Sequence, residues 1–408
     1  MVRNEYETDL RKTQEWREAE KWYNQLHTHS VFSIMGGVLI SGSAADELNQ
    51  AMEEILQICP MYFPAWFHRG EFMLRIGRSY EGEEFIEKAF DYVVKIVEDE
   101  EEFRQILSFR MGNLEKLLRY DLAGKYTEKA TRLFPDTPTF YDDLAFYILQ
   151  LPDRGHTEAL KFEEEALAIE PDNDFFINNL GWIYLMMGNY DLAEENFRKA
   201  LEFNLDNPGA SENLETAEYM HEQNLSYFDY LLRPADMAQL QALLEYGDFQ
   251  EVAAICKLYN TDRLEGFKIH HLQKGSLPPH EILNTLQPLK FFINMMEKMV
   301  DAADDGFFLL ENIDMFNEKF KSLIYQFILG VDHIYEELVN DISRSLAVFY
   351  EFLLDIKRVT SNQYNRFISR TQPLITEFSS KIEEYNRIRH DVTLEEADRE
   401  EKIDRLLS

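Results

Sequence analysis

The stretch DFFINNLGWIYLMMGNYDLAEENFRKALEFNLDN, Asp174 to Asn207, decides the fold. Within it Leu180-Gly181-Trp182-Ile183-Tyr184 is followed by Gly188-Asn189-Tyr190 and then by Ala193, Phe197, Ala200 and Leu201, the pattern of two helices joined at a glycine turn. Working outward, Pro60, Pro135 and Pro171 each stand where a second helix should end. They set units beginning at His29, Phe63, Arg104, Pro138 and Asp174, spaced by 34, 41, 34 and 36 residues. A period of this size is the signature of a helical repeat.

The Asp174–Asn207 copy resembles the tetratricopeptide-repeat (TPR) family. In that family two antiparallel helices pack so closely that the eighth, twentieth and twenty-seventh positions must be small. Here those positions hold Gly36, Gly70, Met111, Ala145 and Gly181; Leu48, Gly82, Ala123, Ala159 and Ala193; and Ile55, Ala89, Ala130, Ala166 and Ala200. Twelve of the fifteen are Gly or Ala, so all five units, 29–62, 63–103, 104–137, 138–173 and 174–207, are read as one array. Departures are expected to alter local twist. The second unit carries a long second helix through Val93, Val94 and Ile96 into the acidic run Glu98 to Glu102. The fourth has two extra residues around Pro152-Asp153-Arg154-Gly155. Met111 stands where a small residue is usual and Leu205 where proline is usual.

Residues 1–28, with Trp16, Trp22 and Tyr23, read as an amphipathic helix capping the array. Residues 208–274 read as a helical extension, with a degenerate helix pair turning at Tyr246-Gly247-Asp248, and Lys274 to Pro279 as a break. In 281–390, Leu309, Ile313, Phe316, Phe320, Leu323 and Phe327 form one helical stripe. Leu346, Phe349, Leu353 and Ile356, then Phe367, Phe378, Ile382 and Tyr385, form a second. After Gly330 there is no glycine and only Pro373 interrupts, so helices of about 30 to 40 residues, a bundle or coiled coil, are predicted. In the charged tail, 391–408, Thr393-Leu394-Glu395-Glu396 is a capping-box signature for a last helix. The fold class is all-α: a TPR-like solenoid, a right-handed superhelix by the resemblance, followed by a long-helix domain.

Composition narrows function. With 41 Lys and Arg against 75 Asp and Glu, the net charge of −34 disfavours nucleic acid and anionic membranes as partners. The early apolar run, Val31 to Ile40, is too short to span a bilayer, and Cys59 and Cys256 are too few and too separate for a disulfide framework. A cytoplasmic, non-membrane protein is expected, with no cofactor. No phosphate loop, dinucleotide fingerprint, metalloprotease motif or nucleophile elbow occurs. Carboxylate runs such as Glu163-Glu164-Glu165 read as solvated helix faces. His27 with His29 lacks a third ligand, His270 and His271 point to different helix faces, and Asp301 to Gly306 lacks an oxygen ligand at Ala303. No metal site is expected.

In the resembled family, certain first-helix positions line a concave groove. Carried onto this chain they are Phe67, Glu71, Leu74 and Arg75 in the second unit, Asp142, Phe146 and Leu149 in the fourth, and Phe175, Asn178, Trp182, Leu185 and Met186 in the fifth. The resemblance implies a non-enzymatic scaffold that binds a peptide or helix of another protein there. An apolar cluster of Phe146, Trp182, Leu185 and Met186 should not face water unfilled. A carboxylate-gripping groove is not expected, because only Asn179 matches the basic and amide set such grooves use. Two alternatives stay open: a switch in which the C-terminal helices fill the groove, and an enzyme using His333 with Glu336 or Glu337. The C-terminal helices could also pair two copies as a homodimer.

Overall fold

The computed structural model describes residues 10–27, 42–299, 307–331 and 337–407. Among them the regular structure is twenty α-helices and one short 3-10 turn, with no strand. His29, Gly36, the Asp301 to Gly306 loop, His333 and Glu336 lie outside the described residues. The chain forms two compact units, Met1–Tyr230 with His271–Leu283, and Leu231–His270 with Asn284–Ser408.

The first unit runs α1 Gln14–His27, α2 Gly42–Ile58, α3 Phe63–Arg75, α4 Ser79–Ile96, α5 Glu100–Lys116, α6 Tyr120–Leu133, α7 Pro138–Leu149, α8 His156–Ile169, α9 Asp174–Met186, α10 Tyr190–Phe203 and α11 Pro208–Gln223. Consecutive helices pack in pairs, α3 on α4, α5 on α6, α7 on α8 and α9 on α10. First helices also touch the next first helix, α3 on α5, α7 on α9 and α9 on α11. That two-step contact is what a stacked helix-pair array requires.

The small residues explain how closely the pairs approach. A Cβ added at Gly70 would lie 2.7 Å from the Ile86 side chain and 3.0 Å from the Gly82 carbonyl; one at Gly82 would lie 2.7 Å from Leu74. At Gly181 it would meet the Phe197 ring at 2.8 Å and the Ala193 carbonyl at 3.1 Å. Ala89, Ala123, Ala130, Ala145, Ala159, Ala166, Ala193 and Ala200 are fully buried. The large residues between them, Ile86, Phe140, Leu144 and Phe197, are buried as well, each stabilising the fold by about 2 to 3 kcal/mol.

Turns inside the pairs use left-handed backbone at Gly77 (φ 84°) and Gly188 (φ 76°), and at the equivalent point of the third unit Leu118 takes φ 57°. Helix starts are fixed by Asp99, Asn173 and Asn207, whose side chains accept from backbone N–H groups of the first turn.

The acidic run behaves differently from its sequence reading. Helix α4 stops at Ile96, and Glu100, Glu101 and Glu102 form the first turn of α5. The positive N-terminal end of α5 favours acids there, and the longer spacing has two sources: α4 is the long second helix expected, 18 residues against 14 in each of α6, α8 and α10, and α5 begins with an added turn.

The second unit opens with α13 Met237–Tyr246, turns at Gly247 (φ 86°), and continues in α14 Phe249–Lys274. A short helix, α12 Tyr227–Leu231, leads into it. Then follow α15 Pro279–Met299, α16 Ile313–Gly330, α17 Leu338–Asp355, α18 Ser361–Ser379, α19 Ile382–Arg389 and α20 Glu396–Leu407. From α15 onward none reaches the predicted 30 residues. Lys357 turns the chain with φ 61°, and a capping box of Thr360 and Gln363 starts α18 at once. The stripes are nonetheless buried: Phe316, Phe320, Leu323, Phe327, Leu346, Phe349, Leu353, Phe367, Phe378, Ile382 and Tyr385 all face a core.

Arg263 braces that unit, pairing with Glu311 at 2.6 Å and donating to the Leu231 and Arg233 carbonyls, while Asn260 holds the Phe308 carbonyl at 3.0 Å and the Leu310 N–H at 2.7 Å. The tail helix is docked through buried Ile403 and Leu407. Its start is Glu396 rather than a turn capped by Thr393, because Asp391 already engages the Thr393 N–H at 2.9 Å and its hydroxyl at 2.6 Å.

Candidate functional site

The groove residues read from the sequence do not form one open surface. In the second pair, Phe67, Glu71 and Leu74 are buried, and Arg75 is half-buried. Leu74 packs over Gly82, and Arg110 of α5 lies against the other two. Tyr23 of α1 hydrogen-bonds His68 and stacks edge-on against Tyr62, Trp16 lies against Tyr62 and Phe63, and the Arg110 guanidinium reaches the Tyr23 hydroxyl at 3.4 Å. Arg110 also pairs with Glu71 at 3.2 Å and lies 5.0 Å from the centre of the Phe67 ring. Asn113 donates a further hydrogen bond to Glu71 at 3.2 Å. The first-helix face of this pair is therefore met from within the chain, by α1 at Phe63 and His68 and by α5 at Phe67 and Glu71. Phe67, Glu71 and Leu74 offer no surface to a partner.

The fifth pair is partly filled as well. Leu185 and Asn178 are buried, and Trp182 sits edge-on to Tyr227 at 5.1 Å among Leu214, Ala217, Met220 and Tyr230. The expected exposed cluster of Phe146, Trp182, Leu185 and Met186 is broken up, because α11 and the segment after it cover its Trp182 end. Leu149 packs on Leu144 and Ile148, and Met186 is half-buried. What stays open is Phe146, 38% exposed, and Phe175, 59% exposed.

Beside Phe146, one turn back on α7, stand Asp142 and Asp143, and beneath them lies Glu163 of α8. Glu163 is only 1% exposed, contrary to the solvated face expected for the Glu163-Glu164-Glu165 run. A helix turns 100° per residue, so three consecutive residues cannot share one face. Allowing for the two extra residues in the turn, position 163 corresponds to Phe197 in the fifth pair, Thr127 in the third, Ile86 in the second and Met52 in the first, all buried.

Its carboxyl finds no protein donor for Oε1; what it meets is the Asp142 carboxyl. Two carboxyls share a hydrogen bond only if one keeps a proton. Burial, then the Asp142 charge, push Glu163 up to about 10, and burial, then Asp142 and Glu115, push Asp143 up to about 7. Asp142 is held as the acceptor by a file of amides. Asn213 donates to Asn178 at 3.0 Å, Asn178 to Asn179 at 3.2 Å, and Asn179 to Asp142 at 2.7 Å. Of these residues the sequence pointed to Asp142, Asn178 and Asn179; Glu163 was legible only through its place in the repeat.

A carboxyl whose folded pKa is raised favours the fold most below its unfolded value, and that advantage is lost as pH rises through the folded one. For Asp143 the window runs from its ordinary 3.8 to about 7. Raising the pH from about 5.5 to about 8 should lower the stability of the first unit, and Asp143→Asn should flatten that slope by about 1–2 kcal/mol, the shift being discounted for solvent screening. Tryptophan fluorescence in urea reads this unit alone, since Trp16, Trp22, Trp66 and Trp182 all lie in it. A slope unchanged in the variant would refute the assignment.

Among the described residues no three His, Cys, Asp or Glu side chains are placed to hold a metal, and no helix is long and apolar enough to cross a membrane. The sequence matches no curated protein. Three solved structures are similar. YrrB, described as a TPR protein with an unusual peptide-binding site, is 18% identical, covering 52% of this chain and 99% of its own with a TM-score of 0.31. The P58(IPK) TPR domain is 12% identical, covering 90% and 96%, with a TM-score of 0.24. Yeast Tom70 is 12% identical, covering 97% and 96%, with a TM-score of 0.20. The family model named tetratricopeptide repeat matches residues 177–207, the α9–α10 pair whose close approach at Gly181 was described above. By that match residues 177–207 form a tetratricopeptide repeat.

Proposed function

We infer that the protein is an interaction scaffold whose first-helix face around α7 and α9 receives a peptide or helix of a partner protein. One observation carries this reading. Phe146 and Phe175 remain exposed on first helices whose neighbours are already covered from within the chain, by α1 on one side and by α11 and Tyr227 on the other. Exposed aromatic side chains beside a rim of polar groups are the usual anchors of a protein contact. Of the residues carried over from the family, Arg75, Asp142, Phe146, Leu149, Phe175, Trp182 and Met186 are the ones with surface to contribute. In this reading the pairs wind as a right-handed superhelix and these residues lie on its concave side.

The test is a cross-linking pull-down from the native cell with the full chain and with Phe146→Ala and Phe175→Ala. Loss of a partner in both variants, about tenfold or more in recovered amount for an anchor worth ~1.4 kcal/mol, is expected. Equal recovery of every partner by the wild type and both variants would remove the face from consideration.

A further inference from the structure

We propose that the basic face of α18 docks a short acidic segment of a partner protein, whose carboxylates are taken by Arg366 and Arg370 on the helix and by Lys357 and Arg358 at its start. This surface belongs to the second unit and is independent of the first-helix face inferred above.

The charge here runs against that of the chain. Acids outnumber bases by 75 to 41, yet residues 356–376 hold four cations and no acid. All four are exposed. Arg366 and Arg370 stand one turn apart on α18, about 6 Å along it, while Lys357 and Arg358 sit in the turn that leads to its capping residue, Thr360. The positive end of the α18 dipole lies at that turn. Among the described residues none of the four meets a carboxylate: the Lys357 and Arg366 side chains make no hydrogen bond or ion pair, Arg358 donates to the Leu232 carbonyl at 2.6 Å, and Arg370 donates to the Asn317 carbonyl at 2.6 Å. Arginines elsewhere behave otherwise. Arg104, Arg119, Arg132, Arg198 and Arg233 pair with carboxylates at 2.6 to 2.7 Å. Acids close to α18 do not fill the gap, since Asp314 of α16 accepts from Gln363 at 2.8 Å and Glu377 pairs with Lys381 at 2.8 Å. The two carbonyl contacts hold the Arg358 and Arg370 guanidinium groups at the surface and use one N–H group of each, so the others can fork onto a carboxylate. Salt screens charges beyond about 8 Å at physiological ionic strength, so over a short segment these cations set the field. A nucleic acid or a membrane surface would extend past them into the acid excess of the rest of the chain.

Fluorescence anisotropy with the full chain tests this, using a fluorescein-labelled peptide of alternating glutamate and serine, and its glutamine counterpart, at low salt and at about 300 mM salt. The glutamate peptide should bind at least tenfold tighter than the glutamine one and weaken at the higher salt. Arg366→Glu removes no side-chain hydrogen bond or ion pair of the fold, so its circular dichroism should match that of the wild type while the glutamate peptide binds at least tenfold more weakly. Arg370→Gln should weaken that peptide at least threefold. Lys161→Gln, which removes an exposed charge on α8, should leave it unchanged. Equal binding of the two peptides, or detectable binding of neither, overturns the proposal. So does an effect of Arg366→Glu or Arg370→Gln no larger than that of Lys161→Gln. A single-stranded DNA oligonucleotide that binds more tightly than the glutamate peptide, and is released by Arg366→Glu, overturns the assignment of the face to a protein segment.

Discussion

Replacing Arg110 with alanine should cost the first unit about 3–5 kcal/mol, the range for stripping the partner from a buried charge. Arg110 and Glu71 are 6% and 1% exposed, so neither has water to fall back on. Arg110 also reaches the Tyr23 hydroxyl and lies over the Phe67 ring, and through these it ties α1 to α3 and α5. Without it, Glu71 keeps a single amide donor, Asn113, while burial already pushes its pKa upward. Urea unfolding followed by tryptophan fluorescence should show the loss. A second substitution, Glu71→Gln, should restore a good part of it by removing the orphaned charge. Arg110→Ala within about 1 kcal/mol of wild type, or no recovery in the double variant, would show that the network contributes little to holding α1 in place.

The second large effect has the opposite sign. Glu163→Met should stabilise the first unit by about 1–3 kcal/mol near pH 8, since an apolar residue of similar length replaces a buried ionisable one. The sign follows from the shift. Glu163 is held near 10 in the fold against an ordinary 4.5, so the fold suffers above pH 4.5 by keeping a proton that the unfolded chain gives up. The gain should therefore shrink steadily as the pH is lowered toward 5. Met52, at the equivalent place in the first pair, shows that the position accepts methionine fully buried. A variant less stable than wild type at both pH values would mean that the shared proton contributes to packing rather than opposing it.

The repeat was legible in the sequence because it is written in residue size. Gly70, Gly82 and Gly181 have no room for a methyl group, and the buried alanines stand at the same places in each pair. The groove was less legible. First-helix positions say which way a side chain faces within its pair, but not what the rest of the chain lays over it. Tyr23 on His68 and Tyr62, and Tyr227 on Trp182, come from segments outside the aligned units, so the repeat pattern does not say which first-helix residues they cover. Glu163 was misread for another reason. A run of three acids looks like surface by composition, whereas its helical phase sends one of them inward. Helix lengths in the second unit were overestimated because the stop at Lys357 is made by an ordinary residue in left-handed backbone, which glycine and proline counting does not detect.

The three equivalent intra-pair turns differ in what they would tolerate from a protein engineer. Gly188 has open space around it, so a short tag or a fluorophore-bearing loop inserted there should leave the array folded. At Gly77 a new side chain would run into the His280 ring at 2.7 Å. The Leu118 turn is held from inside by its own buried side chain, so a graft there would pull an anchor out of the core. Probes that report on the helix-pair array therefore belong at Gly188.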